Sequence, residues 1–257
     1  LEVGKIWHLA CPASPRAYQY NPIKTAKTSF MGTYNMLGLA KRVNAKLLFT
    51  STSEIYGDPD SKHVPMAESY RGNVSCQGPR SCYDESKRVG ETLCYIYHTT
   101  KGMMTNTIRP FNVYGPGMQE TDYRVLPNFG NRIKAGEPLS VYGDGRQTRT
   151  FCYITDAIVG FLLVILKGVP GEAYNIGNTN PEVSMTELIN YIRGAVEQPI
   201  DFKFLEYPDS YPADEPMRRS PDIRKARLQL GFDPNVSLEV GLKRFFDWTA
   251  DVYTGKQ

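Results

Sequence analysis

No run of apolar residues in this chain approaches the roughly 20 needed to cross a bilayer, so nothing in it reads as a membrane span. The most apolar segment, Ile158 to Leu166, has the length of a core helix. No Cys-x-x-Cys pair occurs. The five cysteines (Cys11, Cys76, Cys82, Cys94, Cys152) are odd in number and widely spaced, which argues for reduced thiols in a cytoplasm-like compartment. Three histidines far apart give no ligand spacing, and no metal site is expected. A net charge of +3 carried by scattered basic residues gives no footprint for nucleic acid. Also missing is any G-x-G-x-x-G or G-x-x-G-x-x-G run, the glycine-rich turn with which a strand–helix unit cradles a pyrophosphate.

What is present is a soluble globular composition, with 41% hydrophobic and 22% charged residues over 257 positions. The pattern alternates strand and helix. Lys5–Ala10 reads as a strand, followed by a rigid Pro-containing loop, Cys11 to Pro15. A helix is expected from Ile23 to Val43. Lys46 to Gly57 reads as a buried strand, apolar at Leu47, Leu48 and Phe49, that ends in a hydroxyl-rich, acidic tip. Ser81 opens a helix that Gly102 stops, and Thr107–Pro110 is the next strand. The order predicts an α/β fold with a doubly wound parallel sheet.

Further along, Val125 to Ala135 forms a helix closed by Gly136, and Leu139–Tyr142 and Thr150–Tyr153 read as strands. Thr155 is expected to cap the helix containing Ile158. Ser184 and Glu187 make a capping box. The segment from Pro208 to Pro221 reads as a surface excursion. Pro221 is expected to open a short helix, and Leu238 to Val252 closes the chain as an amphipathic one.

Tyr83 and Lys87 stand out within this pattern. Four residues apart on a helix, they share a face. A neighbouring ammonium favours the phenolate, which would make Tyr83 a general base near neutral pH. Asp84, Glu85 and Ser86 suit the first turn of that helix, where the dipole favours negative charge. Such a pair also arises by chance on amphipathic helices. Two further segments sharpen it: Thr50-Ser51-Thr52-Ser53-Glu54-Ile55-Tyr56-Gly57 at one strand tip, and Arg109-Pro110-Phe111-Asn112-Val113-Tyr114-Gly115 at the next.

Together these segments resemble the extended short-chain dehydrogenase/reductase family of nucleotide-sugar enzymes, and within it the UDP-glucuronate decarboxylases. Further matching segments are His8–Pro15, Asn21–Thr25 and Gln147-Thr148-Arg149. The resemblance implies a Rossmann-like domain over residues 1–125 whose glycine-rich start precedes Leu1. It implies a mostly substrate-binding lobe over 126–257, with about 150–180 returning to the first domain. NAD is the implied cofactor, lined by Leu9, Ala10, Thr28, Thr50, Ser51, Tyr83, Lys87, Pro110 and Val113. The implied substrate is a UDP-sugar, met by Tyr18, Asn112, Arg124, Asn128, Val141, Tyr142, Arg149 and Arg219, with Val141 and Tyr142 beside the uracil. Tyr83, Lys87, Thr52, Ser53, Glu54 and Arg219 would carry the chemistry, Arg219 by gripping the uronate carboxylate. The family also implies a homodimer through two helices, 24–43 and 84–101, with Leu93 and Tyr97 in the contact.

One position separates sister activities. Sugar-nucleotide 4,6-dehydratases carry Asp-Glu at the strand tip, where this chain has Ser53-Glu54. Serine is too weak an acid to expel a 6-hydroxyl, whereas a uronate has none to lose. A 4,6-dehydratase, a 4-epimerase and a truncated non-catalytic nucleotide-sugar binder remain the alternatives at this point.

Overall fold

The structure, a computed structural model, describes residues 2–207 and 216–256. Most of the proline-rich excursion, residues 208–215, therefore lies outside the described residues. Strand β1 (Lys5–His8) leads through the expected proline-containing loop to a short helix α1 (Pro15–Tyr20), for which the sequence suggested no element. Pro15 stands at its first position, where a missing N–H costs nothing. Helix α2 (Pro22–Val43) starts on Asn21, whose side chain accepts from the Lys24 N–H at 2.9 Å. Strand β2 (Lys46–Thr50), helix α3 (Ser81–Lys101) and strand β3 (Thr105–Pro110) follow.

Next come β4 (Val113–Tyr114), α4 (Val125–Ala135), β5 (Leu139–Tyr142), β6 (Thr148–Arg149) and β7 (Cys152–Tyr153). Helix α5 (Ile154–Lys167) and strand β8 (Ala173–Ile176) return to the sheet. The chain ends through β9 (Val183–Ser184), α6 (Met185–Ala195), β10 (Phe202–Leu205), β11 (Arg218–Arg219), α7 (Arg224–Leu230) and α8 (Leu238–Val252).

The main sheet runs β1-β2-β3-β8, all parallel. Side chains alternate across it. Leu47 and Phe49 meet Leu37, Ala40 and Cys94 on the α2/α3 side, while Leu48 points to the other side, among Ala157, Phe161 and Tyr174. Helix α3 lies close to the sheet because position 90 is glycine. A Cβ there would fall 2.4 Å from the Phe49 ring. A separate core, including Leu126, Phe129, Leu139, Val141, Leu188, Ile192, Leu242 and Phe245, fills the C-terminal lobe.

Three local expectations change. Helix α5 begins at Ile154 with Tyr153 at its N-cap, so Thr155 lies inside it. Only one stripe of α5 is core, and Ile158, Val159, Leu162 and Leu166 face outward. Helix α7 begins at Arg224, because Ser220 to Asp222 is held extended against Met66 by two main-chain hydrogen bonds of 2.9 Å. Ile223, Ala226, Leu230 and Phe232 then join the sheet's core, a second return in addition to the segment near 150–180.

Candidate active site

The site forms where β2 and β3 end, beside the first turn of α3. Thr52 accepts from the Glu54 N–H (3.2 Å), capping a 3-10 turn over Ser53–Tyr56 that presents Glu54 sideways. Glu54 is the hub. Arg219 reaches its two carboxylate oxygens at 2.6 and 2.9 Å, and Arg80 holds the second of these oxygens from the opposite side. Both guanidinium groups are more than nine-tenths buried. Arg219 thus sits inside, on a two-residue strand paired with β6, and is no solvated surface arginine.

Tyr83 is buried and its ring stacks on Tyr18, centroids 5.1 Å apart. Burial pushes the phenol well above its ordinary value. The surroundings of Cys11, Glu54 and Asp84 add to that rise, and a hydrogen bond with Thr52 pulls the other way. This corrects the expectation that Lys87 makes the phenol acidic. The Lys87 ammonium instead donates to the Thr50 carbonyl at 2.6 Å and lies 5.8 Å from the Tyr83 ring centroid. Desolvation of a phenolate outweighs a cation already engaged elsewhere.

Asp84 and Arg80 are the residues the sequence reading did not assign to the site. Asp84 is 5% exposed and lies 3.5 Å from Arg80. Burial raises its carboxyl to about 7, with Glu54 pushing it further up and Arg80 and Arg219 opposing. The spacing Arg80 to Asp84, four apart at a helix start, was the available signal. A cavity of about 320 Å³ adjoins Glu54, Arg80 and Asp84. A larger one, about 410 Å³, lies remote from this chemistry, between Glu68, Glu172 and Lys225.

On the expected cofactor side, Thr50 Oγ1 and Ser51 Oγ are buried at the β2 tip with no hydrogen-bond partner among the described residues. Leu9 and Ala10 are exposed at the end of β1, Thr28 is half-buried in α2, and Pro110 and Val113 are half-buried at the ends of β3 and β4. The orphaned hydroxyls beside the Lys87 ammonium suit a polar ligand such as a ribose.

The expected substrate residues divide. Arg149 is buried and donates to the carbonyls of Thr148, Pro216 and Met217. Asn112, held at φ +40°, donates to the Thr150 carbonyl at 2.8 Å. Asn128 is half-buried on α4. Arg124, at the N-cap of α4, is bound to Asp122 of its own turn at 2.6 Å. Val141 and Tyr142 cannot share one neighbour, since adjacent strand residues face opposite ways. Val141 is in the lobe's core, and Tyr142 stacks on Tyr207 at 5.8 Å.

Residues 2–177 match the model of the NAD dependent epimerase/dehydratase family. The chain is 48% identical over 244 residues to UDP-glucuronic acid decarboxylase 1 of Xenopus tropicalis, a match covering 95% of this chain and 56% of that protein. It is 48% identical over 242 residues to UDP-glucuronic acid decarboxylase 3 of Arabidopsis thaliana, covering 94% and 68%. The chain thus spans little more than half to about two thirds of the length of these relatives. Among solved structures, a dTDP-glucose 4,6-dehydratase from Streptomyces venezuelae with NAD bound superposes with a TM-score of 0.84 at 27% identity, over 97% of this chain and 74% of that one. A UDP-glucuronic acid 4-epimerase from Bacillus cereus, in complex with UDP-4-deoxy-4-fluoro-glucuronic acid and NAD, gives 0.83 at 28%, over 98% and 77%.

Proposed function

The chain belongs to the NAD dependent epimerase/dehydratase family, and from that premise we propose that it decarboxylates UDP-glucuronate to UDP-xylose through a 4-keto intermediate. The observation that carries this reading is the buried pairing of Arg219 and Arg80 around Glu54, next to Tyr83. Two cations at one buried spot suit a substrate that brings its own carboxylate. Serine at position 53 further disfavours the 4,6-dehydratase alternative.

Thr50, Ser51 and Lys87 would hold the nicotinamide end of NAD, with Leu9, Ala10, Thr28, Pro110 and Val113 lining it. NAD, when bound, supplies the hydride acceptor for carbon 4 and returns the hydride at the end of the cycle. Tyr83, kept protonated by its burial in the ligand-free protein, would become the base once the positive nicotinamide of bound NAD and the Lys87 ammonium favour its phenolate. It then takes the proton of the sugar 4-hydroxyl and gives it back when that hydroxyl re-forms. Thr52, on the phenol, donates toward the carbonyl oxygen as charge develops there, with Ser53 beside it. Lys87 orients the base from the Thr50 carbonyl. Arg219 turns part of its fork from Glu54 to the uronate carboxylate, and Glu54 orients the ring and assists proton delivery. Tyr18, Asn112, Asn128, Tyr142 and Arg149 form the nucleotide side. Arg124 joins them by exchanging Asp122 for a phosphate, and Val141 supports Tyr142 from the core.

Residues 1–125 with about 150–180 form the cofactor side, and most of 126–257 the substrate side. Exposed Phe30, Met31 and Tyr34 on α2, and Val89, Tyr95 and Ile96 on α3, favour a homodimer through these helices. Leu93 and Tyr97 face this chain's own core instead. Five free cysteines suit a reducing, cytoplasmic setting. Incubation with NAD and UDP-glucuronate tests the assignment. Carbon dioxide and UDP-xylose are expected, and a 4-epimer formed without carbon dioxide overturns it.

A further inference from the structure

Decarboxylating a uronate consumes a proton. The substrate arrives as a carboxylate and leaves as carbon dioxide plus a new C–H bond at carbon 5, so solvent must supply one proton per turnover. Tyr83 is not the source, because the proton it takes from the 4-hydroxyl returns there. This argument rests on the decarboxylase reading above.

We infer that Asp84 is the relay for that proton, taking it from the adjoining cavity and passing it by way of Glu54 to carbon 5. Asp84 lies at the inner wall of the 320 Å³ cavity, whose outer wall includes Asp58, Ser75 and Gln77. Its side chain is more than nine-tenths buried, and its Oδ1 has no hydrogen-bond partner among the described residues. A buried carboxylate oxygen without a donor is costly, and a proton on the group relieves that cost. The other oxygen stands 3.5 Å from the Arg80 Nε, and the same guanidinium holds Glu54. One arginine therefore touches both carboxyl groups, and all three side chains line the cavity.

Every charged group around Asp84 has a place in this arrangement. Glu54 faces it from the turn after β2, Arg80 from its own helix start, and Arg219 from β11. Cys82 and Tyr83 are its neighbours on α3, and Asp58 lies across the cavity. Burial and Glu54 outweigh the two arginines and lift Asp84 to about 7. At that value it both holds and releases a proton readily at neutral pH, as a relay requires.

The step balances. The bond from carbon 5 to the carboxylate breaks, and its electron pair enters the enolate formed with the 4-keto group. Carbon dioxide departs, Asp84 passes its proton to the Glu54 carboxylate, and the enolate takes it from there at carbon 5. Cavity water then restores the proton of Asp84. The lost negative charge of the substrate equals the proton consumed.

The test uses the protein with NAD and UDP-xylose in heavy water, following deuterium wash-in at carbon 5 by NMR. Asp84→Asn is expected to slow wash-in roughly a hundredfold, the low end for a general acid–base group. Imidazolium buffer should restore part of the rate. With UDP-glucuronate, the solvent isotope effect should grow while the effect of deuterium at carbon 4 shrinks, a shift that a merely structural role would not produce. Ser75→Trp, which fills the cavity's outer wall and leaves Asp84 intact, should slow wash-in in the same way. Difference infrared spectra of the ligand-free protein should show a protonated carboxyl that titrates near pH 7 and vanishes in Asp84→Asn. Parental wash-in in both variants, unchanged isotope effects, or no such carboxyl overturns the relay. Carbon dioxide release by the parent chain is the separate control for the reaction itself.

Discussion

Glu54 and Arg219 are 165 residues apart in sequence and meet at 2.6 Å, both largely buried. The segment carrying Arg219 is fixed at two points. Arg219 itself pairs with Arg149 in the β6 ladder, and Ser220 and Asp222 bond the main chain of Met66. The guanidinium thus arrives at the carboxylate on a stiff support. Arg219→Lys keeps the charge and loses the fork. Losing a charged hydrogen bond of about 1.5–3 kcal/mol should lower kcat/KM for UDP-glucuronate by about one to two orders of magnitude. Steady-state kinetics check this, and an undiminished kcat/KM would remove Arg219 from the substrate site.

Tyr83→Phe separates chemistry from packing. The ring stacks on Tyr18 without using the hydroxyl, so the variant should fold and lose in urea only the Thr52 hydrogen bond, about 0.5–1.5 kcal/mol. Turnover should fall by about 10²–10⁴, the contribution typical of a general base. Parental turnover in this variant would sink the mechanism.

The Tyr83–Lys87 spacing, the buried strand from Lys46 and the Ser184–Glu187 box were legible because each is a local pattern. The physical outcome at Tyr83 was not. Spacing shows that Lys87 lies on the same face, but only packing shows that its ammonium goes to Thr50 and that burial dominates the phenol. Arg80 and Asp84 joined the site through Glu54, 26 residues before Arg80, a separation without periodicity. The pairings of β6 with β9 and β11 are two residues long, too short for an alternating pattern to register.

Gly90 sets how deeply α3 approaches the sheet. In Gly90→Ala the new methyl would lie 2.4 Å from the Phe49 ring, so helix or ring must shift. Overpacking of this kind costs about 1–3 kcal/mol. The urea midpoint should fall accordingly, and activity should fall with it because Tyr83 and Lys87 lie on the displaced helix. An unchanged midpoint would mean the contact yields freely.

Tyr95 and Ile96 are exposed on α3, at 63% and 43%, beside the exposed apolar side chains of α2. Ile96→Glu places a charge at the centre of the proposed dimer contact while leaving this chain's core untouched. Sedimentation should shift from dimer to monomer, with folding retained by circular dichroism. A dimer that persists at the parent's affinity would relocate the interface.

Asp84 gives the fold a pH dependence of predictable sign. Its carboxyl is raised from 3.8 to about 7, so the folded state binds the proton more tightly than the unfolded chain. Stability from this group is full below pH 3.8 and is lost as pH rises through about 7. Asp84→Asn removes that loss, because the amide stays neutral. The parent should therefore weaken relative to the variant between about pH 4 and pH 8, which urea unfolding of both proteins across that range would measure. A constant difference between them would mean that Asp84 is ionised in the folded protein throughout, held so by Arg80 and Arg219.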